Sequence, residues 1–415
     1  MKADLAIIGG GAAGIFAAIN CKIKQPNLNV LVLEKSNQLL SKVKISGGGR
    51  CNVTHHCFEP QELVKFYPRG HRELLSVFTR FNPTHTIQWF EKQGVRLKVE
   101  ADGRMFPITD NSQTIIDCFL NLCQQLNIQI ISQCGVNEIV KESNQFVLNS
   151  EKGLFHAKQL IIASGSSKHM WEHIAALGHR IIDPVPSLFT FKIKDPLIAD
   201  LMGLSFPISS VELLMNKLQL KTFQLKSGDV IQSGPMLITH WGMSGPAILK
   251  LSSVAAPLLH HLNYRFSIRV NFINQTVNEA VETLNRLKKE HSKKSIVKLP
   301  AFGLPVRFWE NVLKVSEIKP EMNWADVSSK SILAIANTVS AYEMKVDGKS
   351  TFKDEFVTAG GVDLKEIDFK TMGSKLIPNL YFAGEVINVD ALTGGFNFQA
   401  AWSEAWVISE VIGAS

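Results

Sequence analysis

Four apolar residues, Leu5 to Ile8, form a run that reads as a short buried strand. Glycines follow at once at positions 9, 11 and 14. Apolar residues then recur at helical spacing from Ala12 to about Lys22. A second strand, Asn29 to Leu33, ends at Glu34. Ile115 to Leu126 has the pattern of an amphipathic helix. Gln129 to Cys134 and Phe146 to Leu148 read as strands, and Gln159 to Ala163 as a short buried one. From Ser187 to Phe272 the grammar changes to short β-like runs: Phe189 to Ile193, Ser210 to Met215, Gln219 to Leu225 and Phe266 to Val270. Turn signals such as Lys226-Ser227-Gly228-Asp229 separate them. Helical spacing returns between Thr276 and Ala341. Leu380 to Ala383 is again a buried strand, and Ala400 to Val411 a closing helix.

Strand–glycine–helix grammar at both ends predicts one discontinuous α/β domain, Rossmann-like, built from residues 1–187 and 343–415. The region between divides into a β-rich insertion, 188–275, and a helical one, 276–342.

The chain has 415 residues, enough for two or three domains. At 45% apolar and 20% charged residues it reads as an ordinary globular protein. No apolar run is long enough for a membrane span, and the chain opens almost directly on a strand, so no cleaved leader is expected. Six cysteines, at 21, 51, 57, 118, 123 and 134, include no C-x-x-C pair, which predicts reduced thiols in a cytoplasmic protein. No His and carboxylate spacing suggests a metal. The net charge of +7 favours an acidic partner, RNA included, or is a solvated basic surface. The densest basic run is Lys288-Lys289-Glu290-His291-Ser292-Lys293-Lys294.

Chemistry enters with the first glycines. In G-x-G-x-x-G spacing after a strand, Gly9 allows the turn, Gly11 lets a pyrophosphate approach and Gly14 lets the helix pack on the strand. Ala12 and Ala13 open a helix whose free N–H groups face phosphate. Glu34, with Lys35 beside it, stands where a carboxylate binds a ribose diol, which fits FAD or NAD and disfavours a 2′-phosphate. Ser46-Gly47-Gly48-Gly49-Arg50-Cys51-Asn52 is a second backbone cradle, with Arg50 suited to pyrophosphate. Lys42 and Lys44 are further phosphate candidates or plain solvent-facing lysines. Ala163-Ser164-Gly165 is a small-residue turn beside the nucleotide. Gly384-Glu385 follows a strand, as a ribityl contact would. Gly394-Gly395-Phe396-Asn397 would offer backbone N–H groups to a redox ring. Cys51 is a candidate proton donor or a buried structural thiol. His240 and Trp241 line a substrate slot, or are a turn histidine and a core tryptophan.

These motifs, together with Asp102-Gly103-Arg104-Met105-Phe106-Pro107, Thr239-His240-Trp241-Gly242-Met243-Ser244-Gly245-Pro246 and Thr358-Ala359-Gly360-Gly361-Val362, occur in one order. The chain resembles the BaiN/RdsA (YhiN-like) family of FAD-dependent oxidoreductases over nearly its whole length. The resemblance implies tightly bound FAD, a two-dinucleotide-binding-type domain with an insertion, and NAD(P)H as co-substrate. It implies either reduction of a conjugated C=C in a small molecule or reduction of uridine to dihydrouridine in ribosomal RNA. This chain departs from the pattern at His55, where relatives often have asparagine, and at Phe396, where many have tyrosine. It also lacks the long loop that relatives often carry after the turn matching Ala163-Ser164-Gly165. The reading that follows is an FAD-dependent reductase of an electron-poor C=C. The rivals are the RNA substrate and a flavin-binding interaction protein without turnover.

Overall fold

The computed structural model describes residues 1–350 and 357–413. The chain forms two compact units, one of Met1–Pro184 with Thr358–Ser415, the other of Val185–Val357.

The first unit is built on a nine-stranded sheet. Its parallel core runs Gln129–Ile131, Val30–Leu33, Lys2–Ile8, Gly153–Ile162 and Leu380–Phe382. Leu5, Ala6 and Ile7 are wholly buried, as expected for an inner parallel strand covered on both faces. The short strands Gly373–Ser374 and Ile367–Asp368 extend the sheet antiparallel at one side. A hairpin of Val136–Lys141 and Phe146–Ser150 pairs with the lower part of Gly153–Ile162. That last strand is ten residues long, and only its end was legible as Gln159 to Ala163.

The helix Ala12–Lys24 packs against the C-terminal helix Phe396–Gly413. Phe16 is the hinge of an aromatic core, its ring 4.8 Å from Trp89, 5.3 Å from Trp402 and 5.8 Å from Phe81. The closing helix begins four residues earlier than the apolar pattern predicts, because Phe396 to Gln399 are held by partners far away in sequence. Gln399 Oε1 accepts both the Thr54 and the Thr86 hydroxyls, and Trp402 Nε1 donates to the Val53 carbonyl.

The second unit holds two four-stranded antiparallel sheets and its own core, centred on Phe308, Trp309 and Trp324. The rings of Phe206 and Phe272 both lie 4.8 Å from Phe308. Residues of 188–275 and of 276–342 therefore share one core and are not separate subdomains. The strand Tyr342–Asp347 pairs with Arg265–Asn271, so residues 343–347 belong here and not to the discontinuous domain. Gln219 to Leu225, read as a strand, lies largely in the helix Lys217–Thr222. A capping box between Asn216 and Gln219 starts it. All six cysteines are free thiols, and among the described residues no helix is long and apolar enough to cross a membrane.

Candidate functional site

The three glycines at the end of the first strand differ in what confines them. Gly9 has φ +112°, and a β-carbon there would stand 2.4 Å from the Ala163 carbonyl oxygen. A β-carbon on Gly14 would stand 2.0 Å from the Gly9 oxygen. The protein itself therefore demands both glycines. Gly11 is different: its φ is −86°, which any residue adopts, and a β-carbon would meet nothing within 4 Å. Neither backbone conformation nor packing requires a glycine at this position. Its bare Cα fits a close-lying ligand. The helix starting at Ala12 has no side-chain cap and no acid in its first turn, so its leading N–H groups at Ala12, Ala13 and Gly14 suit an anion.

Glu34 closes over this loop. Its Oε2 accepts the Gly10 N–H at 2.7 Å, and its Oε1 accepts the Ser36 N–H at 2.8 Å. Spare lone pairs on both oxygens remain for a diol. Lys35 next to it is exposed. Ala163-Ser164-Gly165 lies beside the same loop through the Gly9 contact. The Ser164 hydroxyl is buried and has no partner among the described residues.

Gly384 and Glu385 reach this place from the far end of the chain. A β-carbon on Gly384 would stand 3.2 Å from that of Ala13. Glu385 forms an ion pair with Lys42, so two expected contacts of the cofactor meet each other. Lys44 is exposed. The Gly384 N–H donates to Glu404 Oε2 at 2.6 Å. Glu404 is fully buried, its other oxygen has no partner among the described residues, and burial pushes its carboxyl up to about 8. Sequence reading missed it. The sequence carries only a weak signal, since the same helix holds a second acid, Glu410, that is partly exposed.

The second cradle is a helical turn, Ser41–Gly49, that breaks at Ser46 and passes through three left-handed glycines. β-Carbons at Gly48 and Gly49 would meet nothing within 4 Å, whereas one at Gly47 would press on Phe106 at 2.8 Å. Asn52 ties this cradle to the last motif. With its amide oxygen toward Gly395 it accepts that N–H at 2.9 Å, and its nitrogen donates to the Thr54 and Met105 carbonyls. The Gly395 N–H is thus already used and is not the free donor expected. Asn397 likewise bonds both backbone groups of Ala391, and Phe396 is buried, stacked 4.2 Å from Phe66 and 4.5 Å from His55. The two departures from the family pattern, His55 and Phe396, are therefore neighbours.

Two further expectations change. Arg50 does not present a free fork: its Nη1 donates to Glu100 at 2.5 Å, Asp110 lies 3.6 Å away, and the guanidinium covers the Phe106 ring at 4.0 Å. Cys51 is wholly buried in the core, and burial pushes its thiol up to about 12. A side chain with no exposed surface does not meet a substrate, so its structural alternative stands. His240 and Trp241 lie in the second unit. Trp241 is 52% exposed, not a core residue. His240 lines a cleft of about 830 Å³ together with Lys194, Asp195, Asp200 and Arg307.

Residues 3–411 match the family described as HI0933-like protein Rossmann domain. The chain is 27% identical to the ribosomal RNA dihydrouridine synthase of Escherichia coli, over 98% of this chain and 97% of that one. It is 23% identical to the 3-dehydro-bile acid delta(4,6)-reductase of Clostridium scindens, over 97% of each. Among solved structures, the 3-ketosteroid-delta4-(5alpha)-dehydrogenase of Rhodococcus jostii RHA1 is similar in fold. Its TM-score is 0.51 at 12% identity, covering 99% of this chain and 97% of that one.

Proposed function

The chain belongs to the HI0933-like Rossmann-domain family of FAD-dependent oxidoreductases, and from that premise we propose that it reduces an electron-poor C=C with NAD(P)H as the source of electrons. The observation that carries the cofactor part is Gly11, a glycine that the protein's own packing and backbone leave unexplained. The pyrophosphate is assigned to the N–H groups of Ala12 to Gly14, the adenosine ribose to Glu34 and the ribityl chain to Glu385. Lys42, paired with Glu385, is assigned to the phosphates as well. Bound FAD supplies the hydride chemistry; the chain's residues orient it and exclude water. Glu34 disfavours a 2′-phosphate on the ribose it holds.

Uridine in ribosomal RNA is a second reading, favoured by two observations. Two relatives, from Escherichia coli and Haemophilus influenzae, carry the name ribosomal RNA dihydrouridine synthase, the latter at 26% identity over 96% of each chain. The chain also carries a net charge of +7. The C5=C6 bond of uracil is conjugated to a carbonyl, so one chemistry serves both readings.

The test starts with the purified protein. It should be yellow, and denaturation should release FAD; release of FMN, or a folded protein without flavin, rejects the reading. Anaerobic NADH and NADPH should then bleach the flavin. Ribosomal RNA and a conjugated enone acid, offered separately, should restore the colour only where one is the substrate.

A further inference from the structure

The turn Ala163-Ser164-Gly165 leads into the helix Lys168–Ala176, which Ser167 caps through a bond from the Met170 N–H. That start places His169 and His173 one helical turn apart on a single face. Their Nε2 atoms stand 3.3 Å apart, with the rings edge to face at 86°. His169 is exposed and His173 partly so, so solvent ions have access to the pair. Glu172 on the same helix and Glu138 on the strand Val136–Lys141 are near enough to act electrostatically on the His173 ring.

Two imidazole nitrogens bound to one tetrahedral ion at about 2.0–2.1 Å stand about 3.3–3.4 Å apart. The two Nε2 atoms already have that separation, and rotation of the solvent-accessible rings about their side-chain bonds can aim both at one ion. Helical histidines at i and i+4 are a recurring way to present two nitrogens to one zinc ion. We propose that His169 and His173 form a surface site for a divalent transition metal ion, with zinc as the type case. Among the described residues no group of three or more histidine, cysteine or carboxylate side chains gathers around a metal, so this is a two-ligand site with water in the remaining positions. Imidazole donors select zinc, nickel or copper over magnesium and calcium, which take oxygen. The proposal does not depend on the flavin reading.

A neutral N–H···N bond between the rings gives the same distance, and titration separates the two cases. Zinc chloride would be titrated calorimetrically into the full-length protein with its cofactor, in a buffer that does not chelate. One saturable site per chain is expected. It should weaken at least tenfold in His169→Gln and equally in His173→Gln, and magnesium should give no heat. Both variants should keep the metal-free melting temperature and the flavin content of the parent. Undiminished zinc affinity in both variants, as partly exposed Cys57 or Cys118 would produce, overturns the proposal. So does the lack of any saturable zinc binding.

Discussion

Gly11 separates what a fold needs from what a ligand needs. Gly9 and Gly14 answer to neighbouring backbone, and replacing either strains the protein itself. Replacing Gly11 leaves the protein unstrained, since its φ of −86° suits any residue and the space beside it is open. Gly11→Val is therefore expected to keep its melting temperature without cofactor while retaining less than about a tenth of the parent's FAD. Released flavin measured against folded protein checks this; full retention means that no pyrophosphate lies there. Cys51→Ala makes the contrasting case. Loss of one buried sulfur should cost about 1 kcal/mol in urea unfolding and leave flavin reduction by NAD(P)H unchanged. The glycines were legible in the sequence because their spacing directly after an apolar strand is a local signal. The fate of Arg50 was not, because its partner Glu100 lies 50 residues away and nothing local announces it.

At the level of elements, the site is a meeting of chain segments held by buried polar groups. Asn52 joins the glycine triplet to Gly395 through its amide. Asn52→Ala leaves the Gly395 N–H unpaired, and should destabilise the protein by about 1–3 kcal/mol and loosen FAD. Chemical unfolding and flavin release check the two effects; a stable variant with tight FAD refutes the tie. Glu404 gives a pH signature. Its carboxyl is raised from 4.5 to about 8, so the folded state holds a proton that the unfolded state has released across that window. Its contribution is full below about 4.5 and is lost as pH rises toward 8, with a slope of at most about 1.4 kcal/mol per pH unit. Glu404→Gln should remove this slope, as seen by comparing unfolding at pH 5.5 and 8. The parallel strands were readable as continuous apolar runs. Lys217–Thr222 was misread, because its few apolar residues fit either period and its capping box decides the matter.

The whole molecule separates into two units with separate cores, and the sequence showed the discontinuity but not its edges. Residues from 343 on were counted with the first domain, and the strand Tyr342–Asp347 was not read at all; its pairing with Arg265–Asn271 puts it in the second unit. The net charge of +7 makes one prediction at this scale. If ribosomal RNA is the substrate, its binding should weaken linearly with the logarithm of salt, while reduction of a small enone should respond little. Equal salt response for both would remove the charge as an argument for RNA. The discontinuity also sets the order of events at the ribosome. The helix Ala12–Lys24 is made before the second unit, and the helix Phe396–Gly413 that covers Phe16 only after it. About 210 residues separate the break after Pro184 from residue 396, roughly 10 to 40 s of synthesis. Through that interval the nascent first unit shows Phe16, Phe90 and Phe119 without their cover of Trp402, while the contiguous second unit can fold as it emerges. The newborn chain is thus a natural client for a holding chaperone, and a stalled or nonsense-terminated product ending near residue 390 should be degraded rather than accumulate as a colourless protein.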